Sequence, residues 1–270
     1  MALSLDIITL GVPQVEAARA FYTSAFSSTA TPTATAGDRT AGLDLHGTGQ
    51  LALHQIDALA TDSGTDPATS GFRGHVLSSI VSRPAEVKAL LDAATAHGAT
   101  VVKPAKKEFF GEFSAVCRTP DGVVWKLAAA AKKDTGLVPG PPKPTETALY
   151  LGVASPNVSK EFYEALGMSV DRDYGDKFID FTIAEGVCRL GLLTRKALAK
   201  DAGVDERGDG FSALVLTHTA ASRDDVDALL AAAGSAGGRV TGAAARTEQG
   251  EYAGQFTDPD GNRWRITTHA

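Results

Sequence analysis

The chain has 270 residues, more than one ordinary compact domain needs and comfortable for two. At 43% hydrophobic and 21% charged residues it reads as globular, and each half is long enough to bury its own core. A net charge of -6 argues against a nucleic-acid surface, the absence of any apolar run of about 18 residues argues against a membrane span, and two cysteines are too few for a disulfide framework. Met1 to Asp6 lack the basic-then-apolar pattern of a signal peptide, so the expected location is the cytoplasm, with Cys117 and Cys188 as buried thiols.

In chain order, residues 5–12 alternate and are rich in Ile and Leu, which predicts a strand. A helix follows over about Val15 to Phe26, with Ala18, Phe21, Tyr22 and Ala25 on its apolar face. Short strands are expected near 41–45 and 50–55, and a further strand over 75–82. Pro84 opens a second helix, Glu86 sits in its first turn and Gly98 closes it. A strand near 100–103 leads to a hairpin turned by Pro120-Asp121-Gly122.

The series then repeats. Leu10-Gly11-Val12 recurs as Leu151-Gly152-Val153, and Phe21-Tyr22 as Phe162-Tyr163. Val87, Leu90 and Leu91 recur as Val226, Leu229 and Leu230. Gly111-Glu112-Phe113 recurs as Gly250-Glu251-Tyr252, and Pro120-Asp121-Gly122 with Trp125 as Pro259-Asp260-Gly261 with Trp264. Landmarks in one order, with a single change of spacing, mark a tandem duplication. In the second copy Ser155, Pro156 and Gly167 bound the first helix, and Ser222 with Asp225 stands at capping-box spacing before the second. Val138-Pro139-Gly140-Pro141-Pro142-Lys143-Pro144 favours an extended linker. The expected organisation is a domain over 1–134, a Pro-rich linker over 135–144 and a second domain over 145–270. The order strand, helix, three strands, twice per copy, implies an α+β fold in which each domain pairs two βαβββ modules.

These motifs carry a family resemblance. Ile8-Thr9-Leu10-Gly11-Val12 before a helix with Phe21-Tyr22, the run Phe162-Tyr163-Glu164-Ala165-Leu166-Gly167, the loop Phe109-Phe110-Gly111-Glu112-Phe113, and the turns Thr119-Pro120-Asp121-Gly122 and Asp258-Pro259-Asp260-Gly261 resemble the vicinal-oxygen-chelate superfamily of glyoxalases, bleomycin-resistance proteins and extradiol dioxygenases. The resemblance covers nearly the whole chain, twice. It implies tandem glyoxalase-like domains, with curled mixed sheets around a cleft. In metal-using members, inward positions on four strands supply His and Glu to a divalent ion that polarises substrate oxygens. Carried over, those positions fall on Ile7 and Ala148 in the first strands, near Leu53-His54 and Leu193-Thr194 in the fourth, on Ser79 and His218 in the fifth, and on Lys126 and Arg265 after the hairpin tryptophans. A metal needs three or four N, O or S ligands. Unit charges about 4 Å apart interact by about 4 kcal/mol at an effective dielectric near 20, and a dication doubles the repulsion from a lysine or arginine. A metal-dependent glyoxalase or dioxygenase is therefore not expected, and no cofactor is implied.

Lys126 and Arg265 are expected to give an inward cationic floor for an oxygen-rich ligand, or else to pair with Glu112 and Glu251. Phe110, Phe113 and Tyr252 are candidates for stacking on an aromatic ligand, and Ser79 and His218 for polar contacts. Trp125 and Trp264 read as core anchors. The favoured function is a metal-independent binder of a small molecule, such as one that sequesters an antibiotic or natural product, with one cleft, that of His218 and Arg265, doing the binding. One alternative is a lyase- or isomerase-like enzyme using His218 as general base, with Lys126 or Arg265. The other is a scaffold for protein interaction. The expected partners are a small molecule, with neither nucleic acid nor membrane, and the chain is a monomer forming an internal pseudo-dimer or a homodimer.

Overall fold

The computed structural model describes residues 2–31, 39–108, 112–134, 140–248 and 250–268, so Phe110 and residues 135–139 of the expected linker lie outside the described residues. Copy one runs β1 (Ile7–Val12), α1 (Val15–Ala25), β2 (Thr29–Thr31), β3 (Thr40–Asp44), β4 (Gln50–Gln55), α2 (Ile56–Asp62), β5 (Thr69–Gly71), β6 (His75–Val81), α3 (Pro84–Ala96), β7 (Thr100–Lys107), β8 (Phe113–Arg118) and β9 (Val124–Ala129). Copy two repeats it as β10 (Glu146–Val153), α4 (Pro156–Ala165), β11 (Val170–Asp173), β12 (Ile179–Phe181), β13 (Arg189–Thr194), α5 (Arg195–Ala202), β14 (Gly208–Gly210), β15 (Leu214–Thr219), α6 (Arg223–Ser235), β16 (Arg239–Arg246), β17 (Tyr252–Thr257) and β18 (Arg263–Thr268). The fold is α+β and built of βαβββ modules, as expected, but the modules do not pair within each copy. Two capping signals act as read, with Ser222 accepting from the Asp225 amide and Glu86 from the amides of Ser82 and Arg83, whereas Ser155 stands at the N-cap of α4 without a side-chain cap bond. The short helices α2 and α5, which follow β4 and β13 without a break, were not anticipated.

The modules pair across the copies. One eight-stranded sheet runs β16-β17-β18-β15-β1-β4-β3-β2 and the other β11-β12-β13-β10-β6-β9-β8-β7. Each sheet thus joins the first module of one copy to the second module of the other. The seams are antiparallel: β1 lies against β15 with Ile7 opposite Thr217, and β10 against β6 with Ala148 opposite Ser78. A small ribbon, β5 with β14, ties the two connecting segments together.

One face of each sheet packs on the long helices α1, α3, α4 and α6, and there the duplicated landmarks become structural. Trp125 and Trp264 are buried, as expected of anchors. Each indole donates to a buried tyrosine hydroxyl, Trp125 to Tyr22 at 3.4 Å and Trp264 to Tyr163 at 3.2 Å. Tyr22 then donates to Asp121, whereas Tyr163 donates to Asp258. A buried hydroxyl without an acceptor would cost about 1–3 kcal/mol, so each copy needs one carboxylate at this point. In copy two the other turn aspartate, Asp260, accepts from the Ala154 amide at 2.7 Å and from Ser159. Pro13 stands where copy two has Ala154 and has no amide to offer.

The opposite, cleft-side face carries α2 and α5. The glycine of the repeated Leu-Gly-Val motif makes room for them: a Cβ on Gly152 would come 2.9 Å from the Arg195 Cα, and one on Gly11 3.2 Å from Ile56 and Leu59.

Candidate functional site

Side chains on adjacent paired strands share a face, so strand register defines what each cleft offers. In the sheet containing β6 and β10, Lys126 is level with Ser78, Ser78 with Ala148, and Ala148 with Arg189. In the sheet containing β1 and β15 the matching row is Arg265, Thr217, Ile7 and Gln50. The fourth-strand members are therefore Arg189 and Gln50. The residues expected there, Leu53-His54 and Leu193-Thr194, lie further along those strands. His54 is near α2, with Nε2 at 3.7 Å from Asp62.

Of the seven expected site residues, Lys126 and Arg265 stand on cleft-side faces, one in each sheet. Ser79 does not: it pairs with Thr147 and Leu127 and lines a small cavity with Phe26, Leu90 and Trp125 on the helix side. Its neighbour Ser78 takes the cleft position. His218 is likewise displaced by one residue, and Thr217 is level with Arg265. The His218 ring instead meets the N-terminal segment, with Nδ1 2.9 Å from the Ser4 hydroxyl and 3.2 Å from Asp6. Burial works against the Asp6 charge, but His218, Ser4 and the Thr219 amide outweigh it, and its pKa is lowered. All these contacts converge on one ring nitrogen, so the trio is a latch and does not form a proton relay. Phe113 packs on the helix-side core with Lys88 over its ring, and Tyr252 bonds Asp227 of α6 under Arg223. Neither lines a cleft. For Ser79 and His218 the reason is that successive strand residues face opposite ways, so a reading one residue out changes sides.

The Lys126 row is occluded. Val76, Val116 and Val124 form a small core with Leu198, Ala199 and Ala202 of α5. Tyr150 lies over Gly191, whose missing side chain leaves room for the ring: a Cβ there would come 2.6 Å from it. Burial pushes the Tyr150 pKa up to about 12. Lys126 is held between Glu112 at 2.9 Å and Asp201 of α5 at 3.0 Å. Burial opposes its charge, but the two carboxylates outweigh burial and raise its pKa. Arg189 donates to Glu146 and Asp171, both at 2.7 Å, and to the Phe181 carbonyl, and fully buried Asp180 pairs with Arg172. Every charge here has its partner within the protein.

The Arg265 row is open. Ile7 and the neighbouring Gln255 are half-buried and Gln50 is exposed, with Thr217 buried among them. Thr9 and Ala52 stand where the other face has Tyr150 and Gly191. Arg265 pairs with Glu251, and its side chain stays 35% exposed. Asp62, the counterpart of Asp201, turns to His54 and leaves Arg265 uncovered. Both basic residues thus do pair with the glutamate of their own copy, and one of them still faces solvent.

Neither row suits a divalent metal. Lys, Ser, Ala and Arg in one, and Arg, Thr, Ile and Gln in the other, supply no carboxylate or imidazole, and each includes a fixed cation. Among the described residues no three His, Cys, Asp or Glu are grouped as a metal would need. What the open face can do is accept oxygen-rich groups on arginine, threonine and glutamine beside an apolar patch.

The family model for the Glyoxalase/Bleomycin resistance protein/Dioxygenase superfamily matches residues 4–127 and 147–266. Among solved structures, glyoxalase I from Zea mays is 18% identical with a TM-score of 0.67, over 99% of this chain and 92% of that one. A putative dioxygenase from Bacillus subtilis is 14% identical with a TM-score of 0.65, over 100% of this chain and 86% of the other. At these identities the likeness is one of fold. No curated protein matches in sequence.

Proposed function

The chain belongs to the Glyoxalase/Bleomycin resistance protein/Dioxygenase superfamily, and from that premise we propose that it is a metal-independent small-molecule-binding protein, of the kind that sequesters an antibiotic or natural product, with one working cleft. That cleft is the face of β1, β4, β15 and β18. The observation that carries the reading is the row Arg265, Thr217, Ile7 and Gln50: the places of a metal-binding set hold an arginine, a buried hydroxyl, an apolar side chain and an amide, with Arg265, Ile7 and Gln50 at least partly accessible. The Lys126 face serves as support, since α5 and its own ion pairs fill it. Each sheet already joins both copies, so in this reading a single chain is the working unit. An enzymatic reading through His218 gains no support from a ring turned to the other face and latched to Ser4 and Asp6.

The test is native mass spectrometry on protein purified without chelator, beside calorimetric titration with Zn²⁺, Ni²⁺ and Mn²⁺. One organic adduct per chain and no stoichiometric metal is the expected result. Tight uptake of one divalent ion per cleft would overturn the proposal.

A further inference from the structure

The row beside Arg265 holds an arrangement that the occluded face lacks. Arg239 on β16 is level with Thr257 on β17, and Thr257 with Arg263 on β18. The two arginines are therefore on one face, two strands or about 10 Å apart at their backbones, with only a threonine between. Among the described residues no carboxylate pairs with either guanidinium. Burial and the Arg239 charge together lower the pKa of Arg263, so the two cations sense one another. Like charges on one face repel one another, and among the described residues no ion pair offsets these two. The corresponding row of the occluded sheet reads Thr100, Arg118 and Val124, and its single arginine is satisfied by the Gly122 carbonyl.

The row continues from Arg263 to Val215, Thr9 and Ala52. Val215 packs with Ile56 against Leu59, Ala60, Phe211 and Ala213. A cationic end thus leads directly into an apolar strip.

Resting on the binding reading above, we infer that the ligand is an organic oxyanion: an apolar body lies along Val215, Thr9 and Ala52, and a carboxylate or phosphate bridges Arg239 and Arg263. Guanidinium groups match the planar fork of a carboxylate and the oxygens of a phosphate, and charge-assisted bonds of this kind are short and strong. The two-strand spacing lets one anion engage both side chains.

The experiment is calorimetry on the full chain at low salt with 1-naphthoate, 1-naphthyl phosphate and the uncharged 1-naphthamide. The anions are expected to bind more tightly than the amide, and the tighter of the two identifies the head group. Arg239→Gln and Arg263→Gln should each weaken anion binding roughly tenfold or more, the loss of one charge-assisted bond, while the amide is unaffected. Arg207→Gln, at an exposed arginine outside the face, controls for net charge. Arg263→Gln should also raise the thermal midpoint without ligand, because it removes a like-charge contact. Amide binding with no preference for the anions, or anion binding indifferent to both variants, overturns the oxyanion while leaving a binder. Failure of all three probes overturns this inference, and the binder reading falls with it only where native mass spectrometry also shows no organic adduct.

Discussion

The two cleft-side faces have the same strand order and the same pair of duplicated modules, yet one is filled and the other is accessible. The difference lies in a few exchanged residues. Tyr150 over Gly191 fills one sheet where Thr9 beside Ala52 leaves the other half-exposed. Asp201 draws α5 down to Lys126, while Asp62 draws α2 to His54. In the proposed reading, one cleft is closed by charges satisfied internally and the other kept by cations without partners, so that the occluded face contributes stability and the open one recognition.

The largest test concerns what both faces share. Each sheet needs a strand pairing across the copies, so the segment 1–134 alone would expose β1 and β6 as unpaired edges. It is expected to run as a dimer or aggregate in size-exclusion chromatography with light scattering. A folded monomer of that segment would break the comparison, because each copy would then own its cleft.

Next in size is the contrast between charges. Arg189→Met leaves Glu146 and Asp171 without their cation and Asp180 with Arg172 alone, and should cost about 3–5 kcal/mol in urea unfolding, as for a buried pair that loses one partner. Arg265→Met breaks a pair at the accessible face and should cost about 1 kcal/mol or less. Equal costs would show that the open face is structural too.

A smaller, pH-dependent effect separates the sheets at His75, whose counterpart is Leu214. The imidazole is buried, its Nδ1 has no partner, and burial, with the charges of Arg73 and Arg195, lowers its pKa from 6.5 to about 3. The folded state therefore refuses a proton that the unfolded chain accepts below pH 6.5. The stability present above that pH is lost as the pH falls from 6.5 towards 3. His75→Leu should flatten the acid side of the urea-midpoint profile and leave neutral pH unchanged or slightly more stable. An unaltered acid slope would assign the loss to carboxylates instead.

Much of this was legible in the sequence, for reasons that can be stated. Helix ends were marked by Pro84, Ser222 and Asp225, turns by Pro-Asp-Gly, and the duplication by residues that prove to be the Tyr–Trp anchors. The cationic positions Lys126 and Arg265 followed from the buried tryptophans beside them. The fifth-strand residues were misplaced because β6, His-Val-Leu-Ser-Ser-Ile-Val, is covered on both sides and shows no clean alternation to set its phase. Ser79 and His218 are equivalent in the repeat, so a slip at one is a slip at the other. The aromatics of the hairpin suggested stacking by type alone, and only the register turns Phe113 and Tyr252 towards the helices. Pairing across the copies leaves no local trace, since β1 meets β15 through contacts that no short window contains. Arg239 and Arg263 were invisible for the same reason: they sit on different strands and acquire meaning only once Thr257 stands between them.

The turn aspartates also record how substitutions in the two copies constrain one another. Because Pro13 offers no amide, Asp121 is free to serve Tyr22, and Thr119 can be uncharged; where Ala154 has its amide, Asp260 is engaged there and Asp258 must serve Tyr163. Replacing Asp258 by the threonine of copy one would leave Tyr163 without its acceptor. Replacing Thr119 by aspartate would crowd two carboxylates against Tyr22. The two turns are alternative solutions with poor intermediates between them, so exchanging either for the other takes more than one substitution at a time.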